Sequence, residues 1–139
     1  LDLEPARLAG MQAPRRALGR LGTGAVRLRE PEGSLLGLAE GIETALAATA
    51  LTGVSCWAVL GNERLGRIAI PATVRRVILF LDNDVPGRRA GRLARNIFER
   101  RGLAIQTRLP AASGADWNDV LLGRAGARAE GEERGAVDG

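Results

Sequence analysis

The sequence predicts an α/β domain built on a mainly parallel central sheet of about four strands flanked by helices. Three patterns carry this prediction. Short apolar runs alternate with helix-spaced apolar residues from Leu35 to Leu122. The run Val77 to Leu81 (VILFL) is apolar without interruption, as expected of a strand covered on both faces in a parallel sheet. After it, Ala90, Leu93, Ala94, Ile97 and Phe98 fall at i, i+3, i+4, i+7 and i+8, the stripe of an amphipathic helix.

The elements follow in order. Residues 1–24 mix Arg, Pro, Gly and Ala without periodicity and are expected to be a lead-in segment or the remnant of an upstream domain. Ala25 to Arg29 predicts a short edge strand, and Glu30 to Ser34 (EPEGS) a turn that makes a hairpin with the next strand. Leu35 to Ala39 (LLGLA) is that strand, closed by Glu40-Gly41, and Ile42, Ala45, Leu46, Thr49 and Ala50 predict the helix after it. Residues 56–60 (CWAVL) predict a second strand ending at Gly61-Asn62, with a short helical turn in 63–70 before Pro71. The helix after Asp82-Asn83-Asp84-Val85-Pro86-Gly87 stops before Gly102. Ala104 to Leu109 predicts a further strand, Pro110 to Ala115 a loop, and Asp116 the cap of a short helix through Leu122. The domain therefore spans 25–122, and the tail 123–139, with little to bury, is expected to be disordered.

A chain of 139 residues suits one domain. It begins at Leu1 and its one methionine is Met11, so a piece of a longer polypeptide with neighbouring domains is expected. One cysteine, Cys56, and no histidine exclude an internal disulfide and a thiolate or imidazole zinc site. Any metal must sit on oxygen, which favours Mg²⁺ or Mn²⁺. No apolar run approaches the roughly 20 residues of a membrane helix, and no signal peptide opens the chain, so a cytoplasmic setting is expected. All 20 basic residues are arginine, each capable of forked contacts with phosphate, although the net charge is only +4.

In a parallel sheet of this kind, ligands bind beyond the carboxyl ends of the strands. Glu40 and Asp82 both stand at such ends, and Asp84 lies two residues further on. Gly41 and Gly87 leave room for a tight turn or a close ligand, and two adjacent carboxylates call for a cation or a shared proton. Asp116-Trp117-Asn118-Asp119 adds a third acidic segment at a later loop. Each cluster has a plain alternative: a strand-end acid, a helix cap, a capping turn with Trp117 as a lid. Their joint placement after predicted strands points to one acidic pocket.

These residues resemble the toprim domain shared by primases, topoisomerases and certain nucleases, a Rossmann-like fold. The resemblance rests on Gly37-Leu38-Ala39-Glu40-Gly41-Ile42-Glu43-Thr44-Ala45-Leu46, on Leu79-Phe80-Leu81-Asp82-Asn83-Asp84-Val85-Pro86-Gly87, and on Asp116-Trp117-Asn118-Asp119-Val120-Leu121. It covers roughly 25–122, and the wording is similar to toprims of primases carried by phages, plasmids and other mobile elements. Departures are Thr44 where many primases have an acid, Ala115 where a lysine often stands, and Pro86 where alanine is usual.

The resemblance implies that Asp82 and Asp84 hold Mg²⁺ or Mn²⁺ in a two-metal site, with Asp116 a further ligand and Glu40 the general base or acid; Gly41, Glu43, Gly87, Asn118 and Asp119 would support them. It also implies a nucleotidyltransferase of the DNA primase type that makes RNA primers on single-stranded DNA from nucleoside triphosphates. A helicase or zinc-binding domain would accompany it in the parent protein, and the fragment alone need not be active. Arg88, Arg92 and Arg95, at i, i+4 and i+7 opposite the predicted apolar face, are candidates for phosphate contacts or a solvated helix face. Two other readings stand beside this one: a toprim-type nuclease or topoisomerase-like strand cleavage, and a phosphatase resembling the haloacid dehalogenases with Asp82 as nucleophile. The last lacks the lysine such enzymes use, since the chain has none.

Overall fold

The computed structural model describes residues 22–123 and the backbone of 127–130. Its elements are β1 (Leu35–Ala39), α1 (Ile42–Thr52), β2 (Cys56–Ala58), a 3₁₀ segment (Asn62–Arg67), β3 (Arg76–Phe80), α2 (Val85–Arg100), β4 (Ala104–Pro110), α3 (Trp117–Leu121) and β5 (Ala127–Glu130). The sheet order is β2-β1-β3-β4-β5. The first four strands are parallel, and β5 joins β4 antiparallel. The α/β class with its mainly parallel sheet is as the sequence predicts.

Each helix begins and ends for local reasons. The carboxylate of Asp84 caps α2 by accepting from the N–H of Gly87, and Pro86 fits the first turn, where its missing N–H costs nothing. The first helix stops at Gly53, whose φ of 78° turns the chain left-handed while its N–H closes on the carbonyl of Thr49. Asp116 and Asp119 form a reciprocal capping box that starts α3 although the helix is only five residues long.

The core lies on both faces of the sheet. On one, Leu36, Leu38, Trp57, Val77, Leu79 and Leu81 pack under α2 and the 3₁₀ segment, with Ala94 and Phe98 reaching down from the helix. On the other, Ala39, Cys56, Ile78 and Phe80 meet Ala45 and Ala48 of α1 and Trp117 of α3. Coverage on both faces explains why β3 reads as an unbroken apolar run. Cys56 is fully buried, which pushes its thiol up and removes it as a nucleophile.

Four segments depart from the sequence reading. The predicted hairpin of 25–29 with β1 does not form; Val26 instead bridges Ala58 of β2, and only the turn at Gly33, with a Glu32–Leu35 bridge, leads into β1. Leu93 and Ile97 are 59% and 42% exposed, because the contact stripe of α2 is made of Gly87, Ala90, Gly91, Ala94 and Phe98. Small residues let the helix backbone sit close to the sheet, and the two larger side chains are left on its flank. In α1, Ala47 and Ala48 are buried and Ala50 is exposed, so its stripe is rotated from the one predicted. Within the stretch expected to be a disordered tail, residues 127–130 form β5; residues 124–126 and 131–139, like positions 1–21 of the lead-in segment 1–24, lie outside the described residues.

These burials separate two residues that the helical pattern treats alike. Phe98→Ala should lower unfolding free energy in urea by about 3–5 kcal/mol, whereas Leu93→Ser should change it by less than about 0.5 kcal/mol. Comparable losses from the two substitutions would show that Leu93 belongs to the core.

Candidate active site

After β1 the chain moves to β2 on one side, and β3 then returns on the other side of β1. This reversal makes the β1–β3 boundary a topological switch point, where the connections leave in opposite directions and a crevice opens at the carboxyl ends. Ala39 and Phe80 are paired across that boundary, so Glu40 and the Leu81-Asp82 step emerge side by side. Glu40 is exposed at the rim, and its backbone carbonyl accepts from the N–H of Leu60 at 2.7 Å. Leu60 has a φ of 64°, a left-handed conformation uncommon for a branched side chain, and this turn brings its amide to Glu40.

The third acidic segment is tied to the second by a set of hydrogen bonds. The N–H of Asn83 donates to the carbonyl of Ala115 at 3.0 Å, and the N–H of Gly114 donates back to the carbonyl of Asn83 at 2.6 Å. The side-chain amide of Asn83 donates to the carbonyl of Pro110 at 2.9 Å. Trp117, edge-on to Phe80 with ring centroids 5.4 Å apart, donates its indole N–H to the carbonyl of Leu81 at 3.0 Å. The β3–α2 and β4–α3 loops thus form one framework.

That framework concentrates negative charge. Burial first, then the charges of Asp84, Asp116, Glu40 and Asp119, push the Asp82 carboxyl from 3.8 up to about 6. Glu40, Asp84, Asp116 and Asp119 each therefore lie within electrostatic reach of Asp82. Asp84 and Asp116 also realise the plain alternative, since one oxygen of each accepts a helix-capping N–H. The two roles are compatible, because capping occupies one of two carboxylate oxygens. The ion pairs Arg29–Glu32 and Arg95–Glu99 among the described residues do not involve Glu40, Asp82, Asp84 or Asp116. No three Asp, Glu, Cys or His side chains among the described residues already stand together as a metal-holding group.

The remaining candidates separate. Gly87 is required by crowding: an added Cβ would lie 2.5 Å from the carbonyl oxygen of Asp82 and 2.9 Å from Asp84 Oδ1. Gly41 has an ordinary φ of −124° and open space where a Cβ would stand, so a tight turn is not its reason. Glu43 is exposed in the first turn of α1, and the N–H of Leu122 at the end of α3 donates to the carbonyl of Asn118. Arg88 donates to Asn83 Oδ1 at 2.7 Å, Arg95 to Glu99 and to the carbonyl of Ile105, and Arg92 is exposed. The sequence reading passed over Asn83, which is 4% exposed, and Leu60. For Asn83 the available signal was a polar residue following a buried strand; Leu60 carries none.

The toprim domain family profile matches residues 35–127. The chain belongs to the toprim family. This is the family that the acidic trio resembles, and it sets aside the dehalogenase-type phosphatase. The fold also matches the crystal structure of a DNA primase domain from Pseudomonas aeruginosa, with a TM-score of 0.52 at 17% identity over 69% of this chain and 34% of that one. The toprim chain thus spans about a third of that structure's length, and the likeness is one of fold. No curated protein matches the sequence.

Two predictions follow from the geometry of the toprim rim. Asp82 holds its proton more tightly when folded than when unfolded. That contribution to stability is complete below pH 4 and is lost as pH rises through about 6. In chelator-treated protein, Asp82→Asn should raise stability at pH 7 by about 1–2 kcal/mol, discounted for partial exposure, and should flatten the slope between pH 4 and 6; an unchanged slope would show that the carboxylate is not crowded. Helix propensity alone would make Gly87→Ala stabilising by up to about 1 kcal/mol. The collision with Asp82 should instead make it destabilising by about 1–3 kcal/mol in denaturant unfolding.

Proposed function

We propose that this toprim domain is the core of an enzyme that acts on nucleic acid by metal-dependent nucleotidyl transfer, most closely a DNA primase that makes RNA primers. The supporting observation is the carboxyl of Asp82, raised by burial and by four neighbouring carboxylates at the switch point of the sheet. Such a cluster is unfavourable unless a proton or a cation neutralises it.

The donor set suits a hard divalent cation. It is oxygen only, and the helix-capping bonds leave one carboxylate oxygen each on Asp84 and Asp116. Asp82 and Asp84 would hold Mg²⁺ or Mn²⁺, with Asp116 a further ligand. Because the carboxylates are not yet gathered into a ligand group, binding would draw their side chains together over a fixed backbone. Bound divalent cations supply the positive charge that phosphoryl transfer requires on its entering and leaving oxygens, from two positions in a two-metal site.

The chain's own residues do the rest. Glu40, exposed at the rim with its backbone held by Leu60, would accept the proton of the attacking hydroxyl or return one to the leaving group. Asn83 keeps the two Asp-bearing loops in register and holds the Arg88 guanidinium through one N–H, so that its forked donors could meet a substrate phosphate. Single-stranded DNA template and nucleoside triphosphates are the proposed partners, with a helicase or zinc-binding domain elsewhere in the parent protein and a cytoplasmic setting. No helix among the described residues is long and apolar enough to cross a membrane.

Mn²⁺ should raise the thermal midpoint of the domain, and Asp82→Ala and Asp84→Ala should each abolish the rise. In the intact parent protein, template-dependent incorporation of labelled ribonucleotides should fall at least about 100-fold in Asp82→Ala and Glu40→Gln, the scale expected for loss of general acid–base or metal assistance. Incorporation that survives Asp82→Ala would reject the assignment. Metal-dependent shortening of DNA without incorporation would mean transfer to water, as in a nuclease.

A further inference from the structure

The opposite end of the sheet carries a different charge. Arg75 and Arg76 lead into β3, and Arg100 and Arg101 close α2, so four arginines gather at the amino ends of the strands. The ion pairs among the described residues involve none of them, and the one acid beside Arg100, Glu99, is paired with Arg95. The dipole of α2 accounts for cations in its last turn. It does not account for Arg75 and Arg76, which stand at the start of β3.

Between these elements lies an open cavity of about 220 Å³, lined by Arg75, Arg101, Gly102, Leu103 and by Ile70, Pro71, Ala72 and Val74 of the preceding loop. Its walls are fixed: the N–H of Ala104 donates to the carbonyl of Arg75 at 3.0 Å, and the N–H of Val74 to that of Pro71 at 3.0 Å. Arg101 is held in place by one N–H on the carbonyl of Ile68 at 3.1 Å and by the ring of Phe98, 5.2 Å from its guanidinium carbon. A guanidinium fixed in this way loses less freedom on binding than a free surface side chain.

We infer that this cavity is a second anion site, in which Arg75 and Arg101 cradle a backbone phosphate of a nucleic-acid strand. The inference rests on the proposed action on nucleic acid. Two arginines and no acidic residue line the cavity, which favours an anion, and forked guanidinium donors match phosphate oxygens. The volume is below the roughly 300 Å³ at which whole-ligand pockets begin, so it suits one phosphate group and not an entire nucleotide. No aromatic side chain lines it, so bases are not stacked there and the contact is independent of sequence. Arg75 and Asp82 are seven strand-direction residues apart, about 23 Å at roughly 3.3 Å per residue. A free nucleotide in the cavity would be remote from the carboxylates, whereas a strand crossing the domain meets both ends.

The test is binding of a fluorescent oligodeoxythymidylate to the full chain across a salt series. Arg75→Ala and Arg101→Ala should each weaken binding several-fold at low salt and reduce the slope of log K against log salt by about 0.7, one phosphate contact of a single strand. Arg75→Glu, a change at an exposed side chain, should weaken it further, while Arg29→Ala should leave the slope as it is. Unchanged slopes in the Arg75 and Arg101 variants would overturn the site, as would equal losses in Arg29→Ala. Stabilisation by inorganic phosphate without oligonucleotide binding would overturn the strand and leave a free anion. The Mn²⁺ shift separates this from the enzymatic reading: it should persist in both arginine variants, and Asp82→Ala should lose it while keeping the wild-type salt slope.

Discussion

Repulsion among carboxylates is the constraint on which this structure depends. At a separation of 4 Å two such charges cost about 1 kcal/mol in water and about 4 kcal/mol in the partly shielded surroundings of a protein rim. Five of them stand near the switch point, and burial together with the charges of the other four raises the Asp82 carboxyl. Left to side-chain forces, the loops that carry them would move apart. They are held by groups that carry no charge: the backbone exchange between Asn83, Gly114 and Ala115, and the Trp117 indole on the carbonyl of Leu81.

The packing of the helices serves the same end. Gly87 and Gly91 sit where a Cβ would strike the carbonyl of Asp82 or the side chain of Leu81, so α2 lies against the carboxyl end of β3 with nothing between them. Its first turn is thereby placed beside the Asp-rich loop, and Asp84 becomes both helix cap and rim carboxylate. The cost of this close approach appears on the flank of the helix, where Leu93 and Ile97 are left partly in water. Trp117 does for α3 what the glycines do for α2: its buried ring anchors a helix too short to persist by hydrogen bonding alone.

Most of the architecture was legible because it is written in local patterns. The continuous run of β3, the capping residues Asp84 and Asp116, and the alternation of short strands and helices each have one physical reading. The acids were legible as a group because parallel topology sends every strand's carboxyl end to the same rim. What escaped was decided by distance in space. The pairing of Val26 with Ala58 depends on an edge that only the folded sheet presents. The exposure of Leu93 follows from how near α2 approaches, which hydrophobic periodicity does not encode. Asn83 reads as a spacer between two aspartates until Pro110 and Ala115 come to meet it.

That spacer is as constrained as its neighbours, in the opposite sense. The amide nitrogen of Asn83 faces the carbonyls of Pro110 and Ala111, and its oxygen faces the guanidinium of Arg88. An aspartate has the same shape but no N–H, so it would set an oxygen against two carbonyl oxygens and add a further negative charge to the rim. A leucine would leave those carbonyls and the guanidinium without this partner inside a buried site. Only a neutral side chain with both a donor and an acceptor can join the two loops without adding to the repulsion they must withstand. The order of residues at the end of β3 therefore separates two tasks: the outer aspartates carry the charge of the rim, and the asparagine between them keeps that charge in place.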